Sequence, residues 1–335
     1  MNFLLTQIIQ VPYYLPLIME GNKRGVESTM LYGSVKNNYY DPSCHLRQLN
    51  DLSARYSFQL KRAQKWSGLT FLPDGRWKRG ALPSNTHRVV LTQLEDFSRK
   101  CNYKAYQPEV DEVVFMSRFM ASYYDCESNK NLYLGSPKYD VQFDEETVRR
   151  KYNVRSDKVA LFISPHPLYK TSFNQSEVYK HLKEMGYLVV AKSRRKFSKY
   201  CKENGVSYLT KDVYLEDDVW FPHPTLELIT MADVVINTDS SVIKECVMLG
   251  TPVVNFHLKR EDTSGDRRVP GYMNYLSDGY DYHRTLNENA AKEEFQDAVK
   301  DVTADDYAEQ FEDAREKFLS NRSNVSEALL DHLGR

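Results

Sequence analysis

The chain has 335 residues, of which 41% are hydrophobic and 27% are charged, and its formal net charge is −1. This composition excludes a collagen-like or wholly disordered chain, and the length predicts two domains. No apolar run approaches the roughly 20 residues of a membrane-spanning helix, and the first twenty residues lack a signal-peptide pattern. Five separated cysteines without CxxC or CxxH spacing argue against a disulfide framework and a zinc site. We therefore expect a reduced, cytoplasmic protein.

The N-terminal half begins with an apolar strand at 2–10 and an apolar helix at 13–19, which a Lys-Arg-Gly stop signal follows. Residues 35–85 are rich in Asn, Pro, Gly and basic residues and are expected to be irregular. Further elements are predicted at 89–92, 112–117 and 131–134 (strands) and at 118–124 (a helix). The loop Gly135-Ser136-Pro137 is expected to be an interdomain hinge.

Strands and helices alternate regularly in the C-terminal half. Continuous apolar strands, each followed by a helix, indicate a parallel sheet that is covered on both faces. The predicted strands are 159–164, 187–191, 207–210, 234–237 and 252–256, and the predicted helices are 144–152, 175–185, 197–204, 224–231 and 242–249. The tail beyond residue 287 is expected to be helical. The predicted fold class is therefore α/β.

The charge is divided unevenly between the two halves. Residues 1–104 carry 15 Lys and Arg against 7 Asp and Glu, whereas the remaining residues carry 30 against 39. The excess is concentrated in residues 55–88, the basic–aromatic tract, where cations that neutralise phosphates alternate with rings that stack on bases or sugars. A solvated face whose aromatic residues belong to the core is the alternative. The candidate acceptor-binding residues are Arg62, Lys65, Trp66, Arg76, Trp77, Lys78 and Arg79.

The strongest candidate site follows the predicted strand at 234–237, because ligands of open α/β sheets bind beyond the carboxyl ends of the strands. Ser240 and Ser241 lie at a predicted helix start, where free amides and hydroxyls hold phosphates. Glu245 follows Ser241 by one turn and is placed to accept hydrogen bonds from ribose hydroxyls. Capping by Asp239 and the serines is the alternative, and it leaves the acid unexplained.

Histidines and basic residues follow neighbouring strands. His166 stands in Ser-Pro-His-Pro and His223 in Phe-Pro-His-Pro, and a lone histidine is more often structural than functional. Lys192 and Arg194 follow a predicted strand and suit a diphosphate. Further basic residues of this kind are Arg195, Arg260, Arg267 and Arg268. The GxGxxG and GxxxxGK[ST] motifs are absent, which removes the usual dinucleotide and P-loop interpretations.

Several segments resemble GT-B glycosyltransferases, within which they are similar to the nucleotide-sugar 2-epimerase and CDP-glycerol glycerophosphotransferase branches. The donor half is matched by 161–167, 192–196, 222–228 and 233–256, and the acceptor half by 10–17, Arg24-Gly25 and 115–140. The resemblance implies two Rossmann-like domains facing across a cleft, an acceptor domain at 1–137 and a donor domain at 138–285. Helices at 286–335 follow, and C-terminal helices often pack back on the first domain of this fold.

The resemblance also implies roles for single residues. Ser240 and Ser241 match serines that touch the nucleotide diphosphate, and Glu245 matches the acid that holds the ribose. His166 and His223 match cleft positions near the nucleotide. The epimerases carry a second consecutive acid where Cys246 stands, and their early Gly-Thr-Arg-Pro-Glu motif is absent. These departures argue against an epimerase. The basic, His-containing motif of the polymerising CDP-glycerol enzymes is also not recognisable in residues 30–90, so this part of the acceptor half is unmatched.

We expect a metal-independent glycosyltransferase that uses a nucleotide sugar, with UDP as the expected nucleotide, and that needs no cofactor. If the reaction inverts, an acid from the N-terminal half deprotonates the acceptor hydroxyl. Glu95 and Asp96 are the preferred pair, with a solvated surface turn as the alternative, and Asp74 is a further candidate. The preferred acceptor is a hydroxymethylated base in duplex DNA, as in phage enzymes, since such an enzyme grips phosphates and flips a base.

Other functions remain alternatives. A glycosyl- or glycerophosphotransferase that acts on a surface glycan or a teichoic-acid-like polymer is the first alternative. A nucleotide-sugar 2-epimerase, the second alternative, binds no polymer and would therefore not need a basic N-terminal half. A non-catalytic nucleic-acid-binding protein would have no reason to retain the Ser240, Ser241 and Glu245 set.

Overall fold

Two parallel sheets, one in each of two units, organise the chain in a computed structural model. The first unit comprises Met1–Gln142 and Lys317–Arg335, and the second comprises Phe143–Glu316. The structure describes residues 1–6, 8–32, 45–64, 66–73, 85–92, 107–123, 126–165, 173–194, 214–217, 221, 223–240, 242–258, 284–307, 309, 312, 315, 316 and 324–335. Within these ranges, no helix combines the length and the apolar character that crossing a bilayer requires.

In the part of the chain that the structure describes, the sheet of the first unit has seven parallel strands. They are β1 (Asn2–Leu5), β2 (Thr29–Tyr32), β3 (Gln59–Arg62), β4 (Gly68–Pro73), β5 (Thr86–Leu91), β6 (Glu112–Phe115) and β7 (Asn131–Tyr133). Their spatial order is β3-β2-β1-β4-β5-β6-β7, and every neighbouring pair is parallel. The order reverses between β1 and β4, which makes this the switch point of the first sheet.

The first helices of this unit are α1 (Val11–Lys23), α2 (Leu46–Tyr56) and α3 (Arg118–Tyr123). α1 is apolar on most of its surface, and Pro12 lies in its first turn, where a missing N–H leaves no hydrogen bond unmade. The Tyr14 hydroxyl donates to the Leu4 carbonyl at 2.9 Å, which fixes the helix against β1. Phe3 and Phe71 stack beneath it with ring centroids 4.9 Å apart.

Two expectations for this unit were wrong. The strand predicted at 2–10 ends at Leu5, because Thr6 and Gln10 bond to each other: the Thr6 N–H donates to Gln10 Oε1 and the Gln10 Nε2 donates to Thr6 Oγ1, both at 2.8 Å. The stretch expected to be irregular contains α2, β3 and β4. The sequence pattern conceals α2 and β3 because α2 buries only two leucines and β3 is an edge strand with exposed polar residues.

Over the described residues of the second unit, the sheet has six parallel strands. They are β8 (Val159–Ile163), β9 (Leu188–Arg194), β10 (Tyr214–Asp217), β11 (Val234–Thr238), β12 (Val253–His257) and β13 (Arg284–Asn287). Their order is β10-β9-β8-β11-β12-β13, so the switch point lies between β8 and β11. β12 was expected to be the last strand, but β13 extends the sheet. Its sequence, Arg-Thr-Leu-Asn, buries one leucine at the sheet edge and has no apolar run.

The helices of the second unit include α4 (Glu145–Lys151), α5 (Gln175–Glu184), α6 (Pro224–Thr230), α7 (Val242–Leu249) and α8 (Lys292–Val302). The division between the units follows Gln142, whereas the sequence-based boundary is at 137. The second expected boundary, at 285, falls inside β13, and α8 belongs to the second unit. The predicted helix at 197–204 and strand at 207–210 lie outside the described residues.

The last helix, α9 (Val325–His332), belongs to the first unit and packs on α1. Asp140 accepts hydrogen bonds at the start of α9, from the Val325 N–H at 2.8 Å and from the Ser326 N–H at 2.7 Å. Arg24 donates to Asp331 Oδ1 at 2.7 Å, near the other end of the helix. A distant aspartate therefore satisfies two amides that the helix itself leaves without acceptors.

Candidate functional site

The candidate site lies at the switch point of the second sheet, where β8 and β11 end. The Thr238 hydroxyl donates to the Ile163 carbonyl at 2.8 Å, so the last residues of the two strands are joined. Ligands of open α/β sheets bind in the crevice outside this point. The sequence identifies the strand ends, and the strand order identifies which of them flank the crevice.

Asp239 and Ser240, here called the elbow, follow β11 on the way to α7. Asp239 has a backbone φ of 48°, in the left-handed region that residues other than glycine seldom occupy. Its N–H donates to Asn255 Oδ1 at 3.1 Å, and its Oδ2 accepts from the Leu258 N–H at 2.9 Å. Capping by Asp239 was the alternative interpretation of this segment, but its carboxylate bonds to the residue that directly follows β12. Backbone strain of this kind is found at sites that the surrounding structure holds rigidly.

Two buried asparagines hold the elbow. Asn237 Nδ2 donates to the Ser240 carbonyl at 3.0 Å and to Asn255 Oδ1 at 2.8 Å. Asn255 Nδ2 lies 3.4 Å from Asp239 Oδ1. Sequence analysis missed both residues as site residues. Each is a polar residue inside an apolar strand, and that is the signal that points to a buried hydrogen-bonding role.

Ser240 and Glu245 lie at the beginning of α7. The Ser240 Oγ accepts from the Val242 N–H at 3.5 Å, which is a weak capping bond. Glu245 is in the first turn of the helix and is 7% exposed. A carboxylate is favoured there by the positive end of the helix dipole. Ser241, the third predicted member of the set, lies outside the described residues.

The residues on either side of Glu245 are also buried. Burial lowers the pKa of Lys244 well below its ordinary value, and the charge of Glu245 opposes this shift. Burial, with a smaller contribution from Glu245, raises the pKa of the Cys246 thiol well above its ordinary value. The thiol that stands where the epimerases carry a second acid is therefore uncharged at neutral pH. Sequence analysis did not single out Lys244.

Lys192 and Ser164 extend the site along neighbouring strands. Lys192 is 6% exposed and lies opposite Ile163, inside β9 and not in a loop after it as expected. Its carbonyl accepts from the Ser164 N–H at 2.9 Å. The Ser164 Oγ is buried, and no hydrogen-bond partner is found for it in the described part of the chain. Arg194 ends β9, and only its backbone is described.

His223 begins α6. Its carbonyl accepts from the Leu226 N–H at 3.0 Å and from the Glu227 N–H at 3.3 Å, and α6 packs against α7. His223 therefore belongs to the same layer as the α7 elbow. His166, Arg195, Arg260, Arg267 and Arg268 lie outside the described residues.

The basic–aromatic tract of the first unit is divided between core and surface. Arg62 is exposed at the carboxyl end of the edge strand β3, and Trp66 is partly buried. Phe58 and Phe71 are buried, so these two rings belong to the core, as the alternative interpretation of the tract predicted. Arg88 donates to the Glu109 carbonyl at 2.7 Å and to Thr86 Oγ1 at 3.1 Å, so its charge is engaged within the unit. The other predicted acceptor and catalytic residues lie outside the described residues: Lys65, Asp74, Arg76, Trp77, Lys78, Arg79, Glu95 and Asp96.

Comparisons with known proteins agree with this architecture. No protein-family model and no curated protein matches the chain. Among solved structures, the wall teichoic acid polymerase TagF is similar with a TM-score of 0.66 and 15% identity, over 99% of this chain and 87% of that one. The glycotransferase of kitacinnamycin is similar with a TM-score of 0.58 and 13% identity, over 98% and 97%.

A protein from Listeria monocytogenes described as a UDP-N-acetylglucosamine 2-epimerase is similar with a TM-score of 0.58 and 10% identity, over 98% of this chain and 94% of that one. Identities this low establish the fold alone. Both sheets and nearly the whole chain are covered by each comparison. The chain therefore has the α/β GT-B fold, as expected from the sequence.

Proposed function

We propose that the chain is a glycosyltransferase whose nucleotide-sugar donor, with UDP as the nucleotide, binds at the carboxyl edge of the second sheet. The observation that carries the proposal is the position of Glu245, a buried acid in the first turn of the helix that follows the switch-point elbow. An acid needed only for solubility would lie on the surface. The likeness to a glycotransferase and to a polymerase of wall teichoic acid supports the same reaction class.

Different site residues then bind the ribose and the diphosphate of the donor. Glu245 accepts hydrogen bonds from the ribose hydroxyls, and the amides at the start of α7, with Ser240 and Ser241, hold the diphosphate. As the glycosidic bond to the donor breaks, negative charge accumulates on the departing diphosphate. Preorganised N–H and hydroxyl donors stabilise that charge without a metal ion or a cofactor. His223, His166, Lys192 and Arg194 are proposed to surround the nucleotide.

The acceptor hydroxyl must lose a proton as it attacks the sugar. We propose Glu95 and Asp96, or Asp74, as the general base from the first unit, on the sequence argument alone. If the reaction inverts, the acid attacks no carbon and only takes the proton. Replacement by the amide then lowers kcat and leaves donor affinity unchanged.

The proposed acceptor is an anionic polymer that the basic–aromatic tract binds. Hydroxymethylated duplex DNA is the first acceptor to test, because the first 104 residues carry a strong basic excess. A teichoic-acid-like polymer is the second, because the TagF comparison covers 99% of this chain. Both polymers carry phosphodiesters and hydroxyls, so Arg62 can bind a phosphate of either one. Phe58 and Phe71 are in the core, so stacking depends on Trp66 and Trp77.

The test is a UDP-release assay with a panel of UDP sugars, each with and without hydroxymethylcytosine-containing duplex DNA or a polyol-phosphate polymer. Release that requires one acceptor identifies that acceptor and the sugar. Conversion of a UDP sugar to its epimer without any acceptor would instead establish the 2-epimerase alternative. Absence of both release and epimer formation, also with CDP-linked donors, would overturn the proposal.

The matched variants are Glu245→Gln and Glu293→Gln. Both residues are acids in the first turn of a helix of the second unit, but Glu293 is exposed on α8. We expect Glu245→Gln to weaken donor binding by about tenfold, the effect of one lost charge-assisted hydrogen bond, and Glu293→Gln to have no effect. Thermal unfolding of both variants shows whether the folded state is retained.

A further inference from the structure

We propose that His257 binds the diphosphate of the donor and that Asp239 positions its ring. This inference rests on the proposed function and assigns a residue that sequence analysis did not consider. His257 is the last residue of β12, and its Nδ1 lies 3.2 Å from Asp239 Oδ2. The side chain of His257 is 63% exposed, whereas that of Asp239 is 10% exposed.

The position of the pair brings the imidazole to the diphosphate site. Asp239 directly precedes Ser240 at the start of α7, and β12 is the neighbour of β11 in the sheet. The carboxyl ends of these two parallel strands lie at one edge of the sheet. His257 therefore lies at the edge where the proposed donor diphosphate binds.

The hydrogen bonding of Asp239 orients the ring. Asp239 Oδ2 accepts from the Leu258 N–H, and Asp239 Oδ1 lies within 3.4 Å of Asn255 Nδ2, so the carboxylate is held from two sides. The His257 Nδ1 faces this fixed carboxylate at 3.2 Å, so its Nε2 lies on the opposite side of the ring. In the protonated ring, the Nε2–H is then available to donate to a phosphate oxygen, and the imidazolium offsets one of its charges.

Stability alone does not account for the pair. An ion pair with one exposed partner contributes little to folding. Asp239 also occupies the left-handed region at a cost in backbone energy. A buried carboxylate on a strained elbow that orients an exposed imidazole is the arrangement expected of a binding residue and its positioning residue.

The test compares dissociation constants for UDP and uridine by calorimetry. His257→Gln is expected to weaken UDP binding by about tenfold and to leave uridine binding unchanged, since only UDP carries the diphosphate. Glu245→Gln is expected to weaken both, since both carry the ribose. If His257→Gln binds UDP as tightly as the wild type while Glu245→Gln weakens both ligands, the inference is overturned and the proposed function stands. If the wild type binds neither ligand, both are overturned.

The role of Asp239 is tested with Asp239→Asn. Asparagine tolerates a positive φ and can still accept from the Leu258 N–H, so the backbone of the elbow is kept, while the charge and the acceptor that Asp239 Oδ1 offers to Asn255 Nδ2 are lost. We expect Asp239→Asn to weaken UDP binding about threefold in the wild-type background and not at all in His257→Gln or in His257→Lys, whose ammonium needs no orienting carboxylate. An equal loss in all three backgrounds would show a structural role and overturn the positioning assignment.

Discussion

The Thr238 hydroxyl donates to the Ile163 carbonyl over 2.8 Å and joins the two strands that flank the switch point of the second sheet. The two residues are far apart in sequence, and both are buried at strand ends. The helices that follow the two strands at a switch point lie on opposite faces of the sheet, which leaves a crevice beyond the strand ends. The bond between Thr238 and Ile163 holds the ends of β11 and β8 together at the bottom of that crevice. This bond sets the base of the proposed donor site.

Removing that bond should destabilise the second unit. Thr238→Val keeps the shape of the side chain but leaves the Ile163 carbonyl without this donor, and we expect a loss of about 1 kcal/mol in the free energy of unfolding. Thr238→Ser keeps the hydroxyl, so we expect it to retain most of the stability that this hydrogen bond contributes. Urea unfolding of the three proteins checks the order. Equal stability of the wild type and the valine variant would contradict it.

The asparagine pair should be the most sensitive part of the elbow. Asn255→Ala removes the acceptor of both the Asp239 N–H and Asn237 Nδ2, and buried groups left without partners typically cost about 1–3 kcal/mol each. We expect a loss of at least about 2 kcal/mol in stability, together with weaker UDP binding. Denaturation curves and calorimetry on the same preparation measure both. Unchanged UDP affinity in a folded variant would show that the elbow does not contribute to donor binding.

Lys244 should give the protein a distinct alkaline pH dependence. Because burial lowers the pKa of Lys244 well below 10.5, the unfolded chain holds a proton that the folded chain lacks between the lowered pKa and 10.5. Stability therefore rises with pH through that window. Lys244→Met has no such group, so the difference in unfolding free energy between variant and wild type should shift in favour of the wild type as pH rises. Urea titrations from neutral pH to about pH 10 check this. A constant difference would contradict the assignment.

The cap on α9 should control how firmly the C-terminal helix is held. Asp140→Ala removes the acceptor of two backbone amides, and helix-cap losses typically cost about 1–2 kcal/mol. We expect faster amide hydrogen exchange across 325–335. The matched control is Asp144→Ala, which removes a local cap on α4, where Asp144 Oδ2 accepts from the Thr147 N–H at 2.8 Å. It should speed exchange in α4 and leave α9 unchanged, and equal acceleration of α9 in both variants would contradict the assignment.

Arg62 and Arg88 should differ in their effect on polymer binding, although both belong to the basic–aromatic tract. Arg62 is exposed, so Arg62→Ala should reduce the slope of log affinity against log salt by about 0.9 on duplex DNA, the value for one phosphate contact. Arg88 bonds within its own unit, so Arg88→Ala should lower stability and leave the slope unchanged. Binding titrations at several salt concentrations measure both slopes. An unchanged slope in Arg62→Ala would exclude Arg62 from the acceptor surface.

The parts that the sequence predicts well are those with strong local signals. β8, β11 and β12 are continuous apolar runs, and α4 and α5 carry Asp144 and Asn174 at their N-caps. These elements were predicted with nearly correct bounds because burial on both faces requires unbroken hydrophobicity and because free helix amides require polar caps. β3 and β13 were missed for the converse reason: an edge strand has one unpaired side and can be polar.

By itself, the sequence determined the α/β class, the GT-B resemblance and the position of Ser240 and Glu245 just after a strand. These depend on periodicity and on residues adjacent in the chain. The tertiary structure alone decided that β8 and β11 flank the crevice, that Asn237 and Asn255 hold the elbow, and that Asp239 contacts His257. Strand order and cross-strand hydrogen bonds join residues far apart in sequence, and no local pattern encodes which distant partner satisfies a buried polar group.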